Sequence, residues 1–236
     1  MRVRLVDTLE ATRAACERLR ESKLLALDVE WEAEPQPQVS LLQLAGTTDE
    51  IYVFDALVLG QRLFDELLPL LADPSVLKLC FDCRGDAAVL FHGHRVRMHA
   101  VYDLQIVYAS LYAHKHGDGF LRGLHRALEH ALAPEEARAF AQRKATQKRR
   151  FEKEEEGTLM ARPLSSETIE YAAHDVAHLF ELHRLWAPRF AKRAVLAAST
   201  QRMLCSMHGP VPAASKSRID FPLVRPLRLA FVYKPA

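Results

Sequence analysis

The alternation of apolar and polar positions in the first third of the chain predicts a small β-sheet and one helix. Residues 2–6 alternate in polarity and predict a short edge strand, and residues 9–21 have the spacing of an amphipathic helix. Three further strands are predicted over residues 24–31, 39–45 and 51–54. Because short loops connect them, we expect these three strands to pair as an antiparallel meander.

After residue 60 the pattern changes to helices around one buried strand. The strand is predicted over residues 76–81, where a single lysine interrupts the apolar positions. Helices are predicted over residues 61–71, 85–93, 103–112, 121–132, 134–155 and 166–185. This succession predicts an α/β fold in which helices flank a central sheet. Residues 209–236, which are rich in proline, predict an extended arm or a poorly ordered tail.

Composition narrows the class of protein but not its function. The chain has 236 residues, of which 49% are apolar and 26% charged, as is typical of a soluble globular protein. The net charge of +2 is too small to identify a polyanion-binding protein. No apolar run reaches the roughly 20 residues that span a bilayer, and a signal peptide is not evident. We therefore expect a soluble intracellular protein without a membrane partner, in a compartment that the sequence leaves undetermined.

Cys80 and Cys83 have the C-x-x-C spacing of some zinc and redox sites. A second such pair is missing from the sequence, since Cys16 and Cys205 stand alone. Buried free thiols in a reducing compartment are therefore expected rather than a zinc site.

Two acids, Asp28 and Glu30, interrupt the apolar strand LLALDVEW. Residues at positions i and i+2 of a strand point to the same face, roughly 6.5–7 Å apart. Burying two ionised carboxylates side by side costs several kcal/mol each unless a cation compensates them. A divalent metal would resolve the conflict, although this motif alone also fits an edge strand with a solvated face.

A third acid, Asp86, is predicted in the first turn of a helix that follows the buried strand. This position is near the carboxyl end of the strand, where α/β sheets often build sites. The alternative is that Asp86 only complements the helix dipole. Asp82 and Asp103 are nearby acids that compete for the same role.

Tyr171 and Asp175 lie four residues apart in a predicted helix that begins with a capping box at Ser165 or Ser166. Residues at i and i+4 share a helix face and are about 6 Å apart. The hydroxyl and the carboxylate can therefore serve one site, although Tyr171 also fits the role of a core aromatic residue.

Three segments in order resemble the motifs of the tyrosine-containing (DEDDy) branch of the DEDD superfamily of 3′→5′ exonucleases. They are LALDVEW followed by VSLLQLA, KLCFDCRGDAAVL followed by VYDLQIVYASL, and RPLSSETIEYAAHDVAHL. This branch includes ribonuclease D, the Werner-helicase exonuclease domain and Egalitarian-like proteins, and the second segment is most similar to the last group. The resemblance covers about residues 20–190.

The resemblance implies an RNase H-like fold with a central mixed sheet flanked by helices. It implies two divalent ions, Mg²⁺ or Mn²⁺, bound by Asp28, Glu30, Asp86 and Asp175. It also implies that Tyr171 positions the attacking water, so that these five residues form the catalytic set. We expect residues 1–190 to form the exonuclease domain and residues 191–236 to be a C-terminal extension of unknown role.

The expected substrate is single-stranded nucleic acid, with RNA favoured over DNA by the resemblance. A basic run would follow the strand into the site, unless it is only a solvated helix face: Arg143, Lys144, Lys148, Arg149 and Arg150. Some Egalitarian-like proteins have lost catalytic acids, so an RNA-binding adaptor of the same fold is the main alternative. A phosphohydrolase of small nucleotides is another. Protein partners are not predicted, and self-association is left open.

Overall fold

A mixed sheet forms the centre of the computed structural model, which describes residues 1–32, 37–116, 121–153 and 159–208. Within that part of the chain the sheet has six strands in the order β1-β4-β3-β2-β5-β6. The strands are β1 (Arg2–Val6), β2 (Leu24–Glu32), β3 (Gln38–Ala45), β4 (Glu50–Asp55), β5 (Leu77–Cys80) and β6 (Val101–Asp103). The predicted meander is confirmed, because β2, β3 and β4 pair antiparallel. The outer pairs β1–β4, β2–β5 and β5–β6 are parallel.

Helices surround this sheet. Those within residues 9–20 and 61–186 match predicted positions with shifted ends, whereas the sequence pattern predicts neither the short helix at residues 56–59 nor the long one at residues 192–207. The helices are α1 (Leu9–Arg20), α2 (Ala56–Leu59), α3 (Gln61–Leu71), α4 (Arg84–His94), α5 (Leu104–His116), α6 (Leu124–Ala131), α7 (Pro134–Lys153), α8 (Ser166–Ala177), α9 (Leu179–Trp186) and α10 (Lys192–Met207). The single helix predicted over residues 166–185 is wrong. It is divided into α8 and α9 because the backbone of His178 (φ −105°, ψ 0°) departs from helical geometry. Asp103 ends a strand instead of beginning a helix.

Alternation along β2 assigns its side chains to two different cores. Leu25, Leu27 and Val29 are buried in the core that also contains α1, α3 and α4 residues. Ala26 is buried in the opposite core, together with residues of α5, α8 and α9. Because side chains alternate along a strand, Asp28 and Glu30 continue the row of Ala26. The two acids therefore lie on the α8 side of the sheet.

Helix α10 packs against α4 and β6. It buries Met203 and Met207 in the core around α4, and Val195 in the core around α5 and α8. Residues 192–207 therefore belong to the packed body of the molecule as far as it is described. The predicted division at residue 190 stays a prediction, and the predicted tail over residues 209–236 lies outside the described residues.

Candidate functional site

The carboxylates of Asp28, Glu30 and Asp175 meet where α8 crosses the face of β2. One oxygen from each of the three lies within 4.8 Å of the others, and all three side chains are half-buried. Ala172, Ala173 and Val176 are fully buried in the core on this side of the sheet. The apolar stripe of α8 thus carries Asp175 towards the two strand acids. We refer to Asp28, Glu30 and Asp175 as the acid cluster.

Tyr171 lies one turn before Asp175 on α8. Burial, followed by the negative charges of Glu30, Asp175 and Asp28, raises the pKa of the Tyr171 phenol above its ordinary value. The phenol is therefore protonated at physiological pH. It can donate a hydrogen bond at the acid cluster, but it cannot serve there as a base.

Asp86 lies in the first turn of α4, beside the acid cluster, and is only 6% exposed. Burial, followed by the charges of Asp28, Asp82 and Glu30, raises the pKa of Asp86 well above its ordinary value. Its Oδ2 is buried and has no hydrogen-bond partner among the described residues. Leaving a buried polar atom unsatisfied costs about 1–3 kcal/mol, and more for a charged group. A bound cation would remove that cost, so the donor set fits a divalent metal with oxygen ligands.

A glycine allows α4 to approach β2 closely at this point. A Cβ atom added to Gly85 would lie 3.1 Å from Cζ2 of Trp31, which directly follows Glu30 on β2. The tight contact brings the first turn of α4 next to the strand acids. A side chain larger than hydrogen immediately before Asp86 would require the Trp31 ring to shift by a few tenths of an ångström.

The competing acids Asp82 and Asp103 are bound by arginines. Asp82 accepts two hydrogen bonds from Arg84, at 2.6 and 2.7 Å. Burial raises the pKa of Asp82, but the Arg84 hydrogen bond and the charge of Arg202 outweigh burial and lower it. Asp103 is fully buried and accepts a hydrogen bond from Arg202. Since the protein's own cations occupy both acids, Asp86 is the best candidate of the three for a metal.

Helix α8 is held in place by an arginine that precedes it. Arg162 binds Asp55 at the end of β4 through Nε and Nη2, at 2.6 and 2.7 Å. It also donates to the backbone oxygen of Ser40 on β3, at 3.2 Å. The helix itself begins at the predicted cap, where the Ser165 hydroxyl accepts from the amide of Thr168. These contacts attach the segment before α8, the helix that carries Tyr171, to β3 and β4.

Sequence reasoning missed the roles of Arg162 and Arg202. Arg162 stands in the R-P-L segment, which contributed to the family resemblance without a physical role. Arg202 lies in a helix whose pattern gave no signal, and its acid partners Asp103 and Asp82 lie 99 and 120 positions away along the chain. Such pairings are visible only in the folded molecule.

The remaining predicted groups are the basic run and the cysteine pair. The basic run belongs to α7, but the side chains of Arg143, Lys144, Lys148, Arg149 and Arg150 lie outside the described residues. Cys80 and Cys83 are free and buried. Burial raises the pKa of both thiols well above the ordinary value, so they are protonated. Among the described residues, no helix has the length and apolar character needed to cross a membrane.

Relatives of known class share both this sequence pattern and this fold. A model of the 3′-5′ exonuclease family matches residues 3–187. A ribonuclease D from Gluconacetobacter diazotrophicus is 30% identical over 205 residues, which cover 81% of this chain and 44% of that protein. The piRNA biogenesis protein EXD1 of Xenopus laevis is 36% identical over 96 residues, or 40% of this chain and 21% of that protein. The chain thus spans less than half the length of these relatives.

Solved structures confirm the predicted RNase H-like fold. The Trypanosoma brucei RNase D in complex with GMP superposes with a TM-score of 0.83 at 23% identity, over 97% of this chain and 72% of that chain. The Escherichia coli RNase D has a TM-score of 0.66 at 20% identity, over 89% of this chain and 52% of that one. With the family match over residues 3–187, these findings confirm the predicted resemblance to ribonuclease D. The chain belongs to the 3′-5′ exonuclease family.

Proposed function

We propose that this protein removes nucleotides from the 3′ end of single-stranded nucleic acid by metal-dependent hydrolysis. Asp28, Glu30, Asp86 and Asp175 would bind two divalent ions, Mg²⁺ or Mn²⁺. The observation that carries the proposal is the buried Oδ2 of Asp86, which lies beside three converging carboxylates and lacks a hydrogen-bond partner within the part of the chain that the structure describes. Oxygen ligands in this number favour Mg²⁺ or Mn²⁺ over softer metals.

The four acids are suited to this role because rigid elements hold them. Asp28 and Glu30 are fixed by the pairing of β2 with β3, and Asp175 and Asp86 by packed helices. When bound, the ions would stabilise negative charge on the phosphoryl oxygens and lower the pKa of a water molecule. Tyr171 would donate its hydroxyl proton in a hydrogen bond that orients the attacking water. The raised pKa of Tyr171 supports this role as a donor.

RNA is the favoured substrate. Support comes from the relative named ribonuclease D and from the Trypanosoma brucei RNase D solved in a complex with RNA. The basic run on α7 would contact the phosphates of the entering strand. Changing its five basic residues to glutamine should weaken binding of single-stranded RNA and flatten the dependence of binding on salt. An unchanged salt dependence would contradict that contact.

The test is digestion of matched RNA and DNA oligonucleotides that carry a label at the 5′ end. We expect a ladder of progressively shorter labelled products with Mn²⁺ and none with a chelator, and faster shortening of RNA. A circular RNA of the same sequence is the control, because it has no 3′ end and should persist.

Three outcomes would contradict parts of the proposal. Cleavage of the circle would indicate an endonuclease. Binding of RNA without shortening would favour the adaptor alternative, which the intact set of four acids and Tyr171 disfavours. Equal rates on RNA and DNA would remove the substrate preference.

A further inference from the structure

Helix α10 reaches the metal-binding region although it follows the segment that the family model matches, which ends at residue 187. Two of its side chains, three residues apart on one helix face, contact Asp103 at the end of β6. The Ser199 hydroxyl accepts from the Asp103 amide at 3.0 Å. The Arg202 guanidinium donates to Oδ2 of Asp103 and to the side-chain oxygen of Gln105. The side chain of Arg202 is only 7% exposed, so this contact is a buried one.

Asp103 in turn holds the tight connection between β5 and α4. Its carboxylate accepts from the backbone amides of Asp82, at 3.0 Å, and Cys83, at 3.4 Å. Asp82 has a φ of +68°, a left-handed conformation that costs energy for any residue other than glycine. The surrounding contacts must therefore maintain this turn. Asp86 follows four residues after Asp82, in the first turn of the helix that the connection starts.

Arg202 supplies the positive charge that this arrangement needs. Asp103 is fully buried, and burying an ionised carboxylate costs several kcal/mol unless a cation compensates it. Without the guanidinium, the carboxylate would be held less firmly against the amides of Asp82 and Cys83. Arg202 also lies 3.3 Å from Oδ1 of Asp82, so one guanidinium serves both acids. Its planar fork suits this geometry, whereas a lysine ammonium could not bridge several acceptors in the same way.

We propose that Arg202 is a positioning residue for the metal site, acting through Asp103 and the connection at residues 82–83 on the orientation of Asp86. The inference rests on the proposed function, because it concerns the affinity for the divalent ions that Asp86 would help to bind. It makes α10 a required part of the nuclease site. It also distinguishes Asp82 and Asp103, whose charges are compensated by arginines, from Asp86, whose charge would be compensated by the metal.

The test is calorimetric titration of the 236-residue chain with Mn²⁺, without nucleic acid, together with thermal unfolding. Changes to groups that orient metal ligands typically weaken metal affinity by roughly 10–100-fold. We expect a loss in that range for Arg202→Gln and a smaller loss for Arg202→Lys, which keeps the charge but loses the fork. Arg193→Gln is the matched control, since Arg193 is an exposed arginine of the same helix. Its affinity for Mn²⁺ should be unchanged.

The outcomes distinguish the inference from the proposed function. If the unchanged protein neither binds Mn²⁺ nor shortens RNA, the proposed function is wrong and the inference is overturned with it. If the unchanged protein binds Mn²⁺ and Arg202→Gln binds it equally well, only the inference is overturned, even when the unfolding temperature falls. Should Arg202→Gln fail to fold, Arg202→Lys takes its place, and an affinity equal to that of the unchanged protein overturns the inference.

Discussion

Asp86 and Asp103 are two buried acids on neighbouring elements, and the protein treats them in opposite ways. The carboxylate of Asp103 accepts hydrogen bonds from Arg202 and from the backbone amides of Asp82, Cys83 and Gln105. The carboxylate of Asp86 has a buried oxygen for which the described residues offer no hydrogen-bond partner, and the pKa of Asp86 is raised. The fold therefore compensates the charge of Asp103, which has a structural role. The charge of Asp86, which faces the acid cluster, is not compensated by the described residues.

A second arginine–carboxylate pair lies on the opposite flank of the site. Asp55 is buried at the end of β4, where Arg162 binds both of its carboxylate oxygens. This pair attaches the segment before α8 to the sheet, and α8 carries Asp175. Arginine–carboxylate pairs thus hold both sides of the acid cluster. Substitutions in the pairs should lower stability and, for the Arg202–Asp103 pair, also the affinity for metal, whereas substitutions in the cluster should affect hydrolysis without a comparable loss of stability.

The largest effect is expected from Asp28→Asn or Asp175→Asn. Each change removes a charged ligand from the acid cluster and nearly preserves the size of the side chain. Hydrolysis of RNA should fall by a factor on the order of 10³, equal to about 4 kcal/mol of transition-state stabilisation. Initial rates with Mn²⁺ measure the loss, and circular dichroism should show an unchanged fold. Asp49→Asn, at an exposed acid, is the control. Full activity in either cluster variant would rule out its role as a ligand.

The next largest effect is expected from Asp103→Asn, and on stability. The substitution leaves the buried guanidinium of Arg202 without its principal counter-charge. Breaking a buried ion pair by removing one partner costs about 3–5 kcal/mol. Urea unfolding should show a loss near the lower end of that range, because Asp82 still lies close to Arg202. If Asp103→Asn unfolds with the same free energy as the unchanged protein, Asp103 does not stabilise the fold. The contrast between Asp103 and the acids of the cluster is then wrong.

Tyr171→Phe should have a smaller effect on catalysis than the loss of an acid. The change removes one hydrogen-bond donor from the acid cluster and keeps the aromatic ring of this α8 residue. A loss of roughly 10–100-fold in kcat, equal to about 1.4–2.8 kcal/mol, is expected. The affinity for Mn²⁺ should not change, since the hydroxyl is not proposed as a ligand. A variant with an unaltered kcat would exclude the orienting role.

The smallest expected effect is a gain in stability from Asp86→Asn in protein stripped of metal. The folded-state pKa of Asp86 is raised, so the ionised form destabilises the fold above the pKa of the unfolded chain. The native state then binds more protons than the unfolded state, and stability falls as pH rises from about 4 towards the raised pKa. At neutral pH the variant should gain about 1 kcal/mol, or roughly 2–4 °C in unfolding temperature.

The pH dependence of this gain provides its control. Near pH 4 Asp86 is protonated in the folded state, so the variant and the unchanged protein should unfold at nearly the same temperature. The difference should appear only as pH rises. A variant that is less stable than the unchanged protein at neutral pH would show that Asp86 is compensated within the fold. RNA hydrolysis by the same variant should be lost.

Local periodicity made much of the fold predictable. The meander and most helices followed from apolar spacing, because a strand repeats every two residues and a helix every 3.6. The errors fell where long-range contacts set the local structure. The division between α8 and α9 at His178 carried no proline or glycine as a signal. Asp103 was assigned to a helix, although its pairing with Cys80 makes it the last residue of β6.

The sequence by itself determined that Asp28 and Glu30 share a strand face and that Tyr171 and Asp175 share a helix face. Those relations depend only on the geometry of one element. The tertiary structure alone decided which of Asp82, Asp86 and Asp103 faces the acid cluster without a counter-charge. That choice depends largely on Arg202, which lies 99 positions from Asp103. On the other side of the acid cluster, Arg162 likewise lies 107 positions from its partner Asp55. Only folding brings such charges together, because a local sequence pattern does not encode contacts between residues that are far apart in the chain.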